Sequence, residues 1–174
     1  AGALEAHPAF ILDGEPESSG YLLADSGMTL YAALRGTELY VATWSPAGGQ
    51  ADHFIFVSDH LLEFPFRRSP WAKMGMSALP QTSPYLGAES ESSYISWFNA
   101  PDSATAFRSG VAGGKMEGVI DLVSAFGSMP TWLYLAAAAY GTEDGGLLLS
   151  QVPAGNNDAH FDPEEFLAVP LGAL

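Results

Sequence analysis

Three short segments between Met28 and Asp59 constrain the fold of this chain more than any other feature. Each is rich in the β-branched and aromatic residues that favour strands, and Arg-Gly-Thr and Pro-Ala-Gly-Gly turn signals separate them. The segments are Leu30–Leu34, Leu39–Trp44 and His53–Val57. This spacing predicts three consecutive antiparallel strands, and therefore an all-β chain that folds as an antiparallel β-sandwich.

The third segment differs from the other two because it is apolar on both faces. Phe54 and Phe56 share one face, and Ile55 and Val57 share the other. A strand of this kind is expected at the centre of a sheet that is covered on both sides. Further strand signals occur at Tyr94–Phe98 and Lys115–Leu122.

The segment Trp132–Tyr140 is compatible with two structures. Pro130 near its start, four alanines and Gly141 at its end are compatible with a helix. The β-rich context and the Gly145-Gly146 turn that follows favour a strand, for which Leu147–Val152 would be the hairpin partner. We favour the strand.

Two segments depart from the strand pattern. Leu61–Glu91 contains four prolines and no clear period, so we predict a long irregular excursion, and such loops are often functional. It holds Trp71, Tyr85 and the only adjacent basic pair of the chain, Arg67-Arg68. Near the end, Asp162 before Pro163-Glu164-Glu165 has the pattern of a capping box, which predicts one helical turn at Pro163–Leu167.

The charge balance excludes several classes of partner. The chain has 20 acidic and 6 basic residues and a net charge of −14, which disfavours binding to nucleic acid or to anionic membranes.

The chain has no cysteine, so disulfides and thiolate chemistry are excluded. The longest apolar run, Trp132–Tyr140, is far shorter than the ~20 residues of a membrane-spanning helix. At 174 residues the chain fits a single domain, 1–174.

The tryptophans are the first candidates for ligand contact, since an aromatic face can stack on the apolar face of a sugar ring. Trp71 is the leading candidate because it lies in the irregular segment beside two arginines. Trp97 and Trp44 are further candidates, with Asp52 as a hydrogen-bonding partner. The alternative is that these tryptophans belong to the core, as buried aromatic residues do in many sandwiches.

Several acidic residues are candidates for acid–base or metal chemistry. Asp52-His53 and Asp59-His60 bracket one strand and could pair as carboxylate and imidazole, or each aspartate could simply cap a turn. Asp59 is a candidate calcium ligand, and so is Asp158 in the Asn-Asn-Asp run near the C-terminus. None of the common nucleophile, zinc-protease or phosphate-loop motifs occurs, so a hydrolase is the least favoured hypothesis.

The order of these elements resembles that of DOMON-like β-sandwiches, and especially of family-9 carbohydrate-binding modules. The residues that carry the resemblance are Ile11–Gly14, Gly36–Thr43, Asp52–Val57 and Met116–Leu122. The resemblance implies a jelly-roll-like sandwich that often contains structural calcium and belongs to a secreted enzyme or a surface protein. It also implies a polysaccharide or oligosaccharide as ligand, bound through aromatic residues.

Together these observations predict a non-catalytic module of a larger, extracellular or periplasmic protein. Its leading function is carbohydrate binding, which would tether a catalytic partner to its substrate. The alternative is a structural module that packs against neighbouring domains and binds no sugar.

Overall fold

A computed structural model describes residues 10–17, 22–45, 50–90, 92–108 and 114–171. Within these ranges the chain is mostly strand, with one α-helix and short 3-10 turns. The elements are β1 (Leu22–Asp25), β2 (Thr29–Arg35), β3 (Glu38–Trp44), β4 (Asp52–Ser58), β5 (Arg67–Arg68), β6 (Met76–Ser77), β7 (Tyr85–Ala88), β8 (Ile95–Phe98), β9 (Thr105–Phe107), β10 (Lys115–Asp121), α1 (Leu122–Phe126), β11 (Trp132–Tyr140), β12 (Leu148–Val152) and β13 (Leu167–Pro170).

The strands form two packed antiparallel sheets, which confirms the predicted β-sandwich. The first sheet has the order β1-β2-β3-β10-β9, and the second has the order β12-β11-β4-β7-β8. β13 pairs with the first half of β11, and β5 pairs with β6 as a separate ribbon. Apolar side chains from the facing sides of both sheets, such as Leu39, Val41, Ile55 and Leu135, form the main core.

The prediction of three consecutive paired strands is wrong at its last step. β2 and β3 pair as expected, but β4 crosses to the second sheet, where it lies between β11 and β7. The physical reason lies in β4 itself, because both of its faces are apolar and all seven of its residues are buried. The place beside β3 is taken by β10, and the predicted Pro46–Gly49 turn lies outside the described residues.

The ambiguous segment is a strand. β11 pairs with β4 over Tyr134–Tyr140 and forms the predicted hairpin with β12. Its four consecutive alanines alternate between the two faces of the strand, and their small size lets both faces pack closely. Ala137 and Ala139 lie in the main core, and Ala136 and Ala138 lie on the outer side.

The irregular excursion forms a third layer over the outer face of the second sheet. Leu61, Phe66, Trp71 and Leu79 pack there against an outer aromatic cluster that contains Phe54, Phe56 and Tyr140. The prediction that this stretch has little regular structure missed β7, a central strand whose Gly87 weakens the local strand pattern. The C-terminal turn is confirmed as a 3-10 turn over Pro163–Glu165, with both hydrogen bonds of the capping box.

The outer face of the first sheet is covered by the segment 10–17. The Phe10 ring stacks on Tyr40 at 5.0 Å, and the Tyr40 hydroxyl donates to a carboxylate oxygen of Glu117 at 2.8 Å. Burial raises the pKa of Glu117 above its ordinary value, because the charged form is poorly solvated there. The segment therefore covers the part of this face around Tyr40 and Glu117.

No helix in the described part of the chain is long and apolar enough to cross a membrane.

Candidate functional site

A cleft of about 370 Å³ lies where the excursion meets the edge of the second sheet. Its volume falls within the range of small-molecule sites, roughly 300–1,000 Å³. The polar side chains that line it come from four places in the chain: β5, the loop after β6, the start of β7 and the end of β8. They are Arg67, Arg68, Gln81, Tyr85 and Asn99, with Ser69 and Ser77 deeper in the wall.

The ring of Tyr85 lines this cleft and belongs to a group of aromatic rings that continues into the outer layer. Tyr85 stacks on Phe98 with ring centroids 4.9 Å apart and an interplanar angle of 10°. The Trp71 indole meets Phe98 edge-on at 5.6 Å and Phe54 at 4.9 Å. The tilted ring of Tyr94 lies 6.4 Å from Trp71. Trp71 and Tyr85 remain partly exposed, so the cluster presents aromatic surface beside the cleft.

Trp71 is held in an unusual backbone conformation. Its φ is 55°, a left-handed value that is uncommon for a bulky residue, and the next residue, Ala72, also has a positive φ of 53°. Gly87 permits this placement, because a Cβ at that position would lie 2.8 Å from the indole. Strained backbone of this kind tends to occur at functional sites.

Asn99 is fixed at the end of β8 by its own side chain. It too has a positive φ, 54°, which asparagine tolerates better than most residues. Its Nδ2 donates to the backbone oxygens of Gln81 at 2.9 Å and Ser83 at 3.2 Å. The two amide donors are therefore used within the protein, and the side-chain carbonyl remains to accept a hydrogen bond from a ligand.

A buried ion pair anchors the excursion behind the cleft. Lys73, two residues after Trp71, places its Nζ 2.8 Å from a carboxylate oxygen of Asp52, and both side chains are at least nine-tenths buried. The ammonium also donates to the backbone oxygens of Gly141 at 2.6 Å and Glu143 at 3.1 Å. Asp52 accepts a further hydrogen bond from the Ser90 amide at 2.8 Å.

Asp52 and His53 point to opposite faces of β4, so they do not form the acid–base pair considered above. His53 lies towards the interior, and neither ring nitrogen has a hydrogen-bond partner among the residues that the structure describes. Burial lowers its pKa to about 4, and the nearby Arg108 guanidinium contributes in the same direction. The imidazole is therefore neutral near pH 7. Asp59 and His60, in contrast, form a hydrogen-bonded pair at 2.7 Å on the surface.

The three tryptophans predicted as ligand contacts lie in three different parts of the sandwich. Trp71 lies on the outer face of the second sheet. Trp97 turns towards the first sheet, packs on the main core and donates from Nε1 to the Thr105 oxygen at 2.8 Å. Trp44 lies at the end of β3 and is 39% exposed, on the face shared by Tyr40 and Ala42. None of the three lines the cleft, but Trp71 lies near it, since it follows the lining residue Pro70 and its indole contacts Phe98, on which the lining residue Tyr85 stacks.

Among the described residues, three carboxylates converge near the C-terminal turn. Asp158, Asp162 and Glu165 place ligand oxygens within 4.8 Å of one another. Glu165 is buried and already accepts from the Asn156 amide at 3.0 Å and from the Asp162 amide. Carboxylate oxygens are the hard donors that calcium prefers, and three of them would supply part of its usual six to eight ligands. Asp59 lies at the exposed end of β4 and does not belong to this group.

The residues that sequence reasoning missed are Gln81 and Asn99. Neither lies in a motif, and each enters the cleft only because β5, β7 and β8 meet there. The adjacent arginines and Tyr85 were visible as unusual features of the excursion, but their common position was not.

Comparison with known proteins supports the fold. No family model and no curated protein matches the chain. The solved structures similar to it include two family-9 carbohydrate-binding modules from Caldicellulosiruptor kristjanssonii. The one in complex with cellotriose has a TM-score of 0.54 and 11% identity, over 98% of this chain and 93% of that one. The one in complex with glucose has a TM-score of 0.53 and 12% identity, over 98% and 95%. The predicted similarity to this family is thus confirmed for the fold.

Proposed function

We propose that this chain is a non-catalytic carbohydrate-binding module that holds an oligosaccharide in the cleft beside Trp71 and Tyr85. One observation carries the proposal. In a fold similar to that of modules solved with cellotriose and glucose, the chain has a cleft that combines aromatic surface with hydrogen-bonding side chains. Sites that bind small ligands commonly pair apolar walls with a few well-placed polar groups.

The cleft offers the chemistry that a sugar requires. Tyr85 presents aromatic surface for the apolar face of a pyranose ring, with the partly exposed Trp71 nearby, while Gln81 and Asn99 offer amide groups to its hydroxyls. Among the residues that the structure describes, no carboxylate lines the cleft. Most glycoside hydrolases need two carboxyl groups facing the scissile bond, so this cleft is suited to binding rather than to cleavage.

The wider role follows from binding without catalysis. We infer that the module is part of an extracytoplasmic enzyme or surface protein, and that it raises the effective concentration of a linked domain on a polysaccharide. The neighbouring domains of such a parent protein would be its other partners.

A binding panel tests this proposal directly. Soluble oligosaccharides, cellotriose and glucose among them, would be titrated into the purified chain by calorimetry, and insoluble polysaccharides would be tested by pull-down. We expect saturable binding to at least one glycan. Gln81→Ala should weaken it, while Gln50→Ala, an exposed residue that is not part of the cleft, should not. Absence of binding across the panel, or equal loss in both variants, would contradict the proposal.

Calcium is a second element of the proposal. We propose that Asp158, Asp162 and Glu165 would hold a structural calcium ion and so tie the last loop to the C-terminal turn. Thermal unfolding with calcium and with chelator measures this. We expect calcium to raise the melting temperature of the native chain, and Asp158→Asn to abolish the difference. Identical melting curves under both conditions would exclude the ion.

One observation favours an interaction surface as a second candidate function. Phe64 is 86% exposed, and with Phe66 and Met76 it borders an apolar pocket of about 270 Å³ on the far side of β5 and β6. An exposed apolar patch is typical of a protein contact site. Phe64→Ser should leave glycan binding intact, which would separate this surface from the cleft.

A further inference from the structure

Two basic side chains of this acidic protein lack an acceptor. Four of the six lysines and arginines have a partner within the chain. The partners are Glu38 for Arg35, Asp52 for Lys73 at 2.8 Å, Glu15 for Lys115 at 2.6 Å, and the backbone oxygen of Glu89 for Arg108 at 2.5 Å. The side chains of Arg67 and Arg68 form no ion pair or hydrogen bond with any residue that the structure describes.

The location of these two arginines makes their lack of partners informative. They follow one another in β5, whose pairing with β6 fixes their backbone, and both line the cleft. The chain carries 20 acidic residues, yet none of those that the structure describes lines this cleft. Two arginines that line one cleft bring two positive charges to it, and a carboxylate nearby would be the ordinary way to balance them. The cleft therefore has two strong donors and positive charge without an internal counter-charge.

We propose that the cleft selects acidic sugars, in which a ring carries an anionic substituent that Arg67 and Arg68 bind. This inference rests on the proposed function and specifies its ligand class. A guanidinium presents its N–H donors in a planar fork that matches a carboxylate or a sulfate ester with two parallel hydrogen bonds. The ring itself would pack on Tyr85, and its hydroxyls would meet Gln81 and Asn99.

The negative charge of the whole chain does not oppose this assignment. Most of the 20 carboxylates lie elsewhere on the surface, and at physiological ionic strength the screening length is about 8 Å. A distant carboxylate is therefore largely screened, whereas a direct contact between an arginine and an anion is screened much less. The local charge of the cleft decides which sugar it retains.

A matched pair of ligands tests the inference. Cellotriose and its fully C6-oxidised counterpart, a trisaccharide of β-1,4-linked glucuronate, differ only in the carboxylates and would be titrated at about pH 7 and roughly 0.15 M salt. We expect the acidic trisaccharide to bind at least about tenfold more tightly. A 6-O-sulfated cellotriose forms a third arm that separates carboxylate from sulfate recognition; tighter binding of either anionic ligand supports the inference.

Variants of the arginines complete the test. Arg67→Gln and Arg68→Gln should each remove most of the preference for the acidic ligand and leave the melting temperature unchanged, since neither side chain has a partner to lose. Arg35→Gln, on the β2–β3 hairpin, is the control and should retain the preference. Equal affinity for neutral and acidic ligands would overturn this inference and leave the proposed function intact. Absence of any sugar binding would overturn both the inference and the proposed function. If a variant carrying both Arg67→Gln and Arg68→Gln still prefers the acidic ligand, the assignment of that preference to the arginines is overturned.

Discussion

Replacing Lys73 with methionine should destabilise the whole protein, because it leaves Asp52 as a buried charge without a counter-ion. The side chains of Lys73 and Asp52 are 2% and 6% exposed, and their charged atoms are 2.8 Å apart. Methionine keeps most of the aliphatic volume of lysine but removes the charge. It also removes the donor that serves the backbone oxygens of Gly141 and Glu143.

The size of the effect follows from this geometry. At 2.8 Å and an effective dielectric constant of about 20, the attraction within the pair is roughly 6 kcal/mol, much of which offsets the cost of desolvating both charges. Removing one partner loses the attraction but keeps the desolvation of the other, and such changes typically cost about 3–5 kcal/mol. For a chain of this length the melting temperature should fall by roughly 6–20 °C.

Chemical denaturation at pH 7 measures the free energy of unfolding of Lys73→Met. The surface pair Lys115–Glu15, with charged atoms 2.6 Å apart but side chains 33% and 59% exposed, provides the matched control. Lys115→Met should cost no more than about 1 kcal/mol, since water screens that pair. The double variant Asp52→Asn, Lys73→Met should recover part of the loss, because no charge is left buried. A cost below about 1 kcal/mol for Lys73→Met would refute the reasoning.

Two further predictions concern pH and the aromatic site. The pKa of His53 is 6.5 in the unfolded chain and about 4 in the folded chain. The difference contributes about 3 kcal/mol to the free energy of unfolding. This contribution should be complete above pH 6.5 and should disappear as the pH falls towards 4. The free energy of unfolding, measured by chemical denaturation across this pH range, should depend less on pH in His53→Leu than in the native chain. An equal pH dependence in the two proteins would contradict the prediction. Trp71→Ala should lower both the stability, by about 2 kcal/mol, and the affinity for sugar, because the indole packs on Phe54 and flanks the cleft. Trp44→Ala, on the other sheet, should leave the affinity unchanged in the same calorimetric assay, and equal losses in the two variants would argue against the cleft.

The strands could be predicted from local sequence because their signals are local. β2, β3 and β4 contain runs of β-branched and aromatic residues between turn residues, and the double apolar face of β4 correctly indicated a central, covered strand. β11 needed context, since four alanines are compatible with either a helix or a strand. The Gly145-Gly146 turn that follows favoured the strand, and the structure confirms it.

The candidate site could be predicted only in part. The irregular excursion, Trp71 and the adjacent arginines were recognisable as unusual from the chain alone. Asp52 was recognised as polar and close to a strand end, but its partner Lys73 lies 21 positions further along, beyond the reach of any periodic pattern. Whether an aspartate at a strand end binds a ligand or a buried lysine depends on what folds over it, which local sequence does not encode.

The sequence by itself thus determined which segments are strands, which of them are buried on both sides, and that the excursion is exceptional, because propensity and alternation act over a few residues. Only the tertiary structure decided that β4 leaves β3 for the second sheet and that three tryptophans lie in three different parts of the sandwich. It alone brought Arg67, Tyr85 and Asn99 to one cleft. These outcomes depend on contacts between residues far apart in the chain, where the burial of one face and the pairing of one strand constrain all the others.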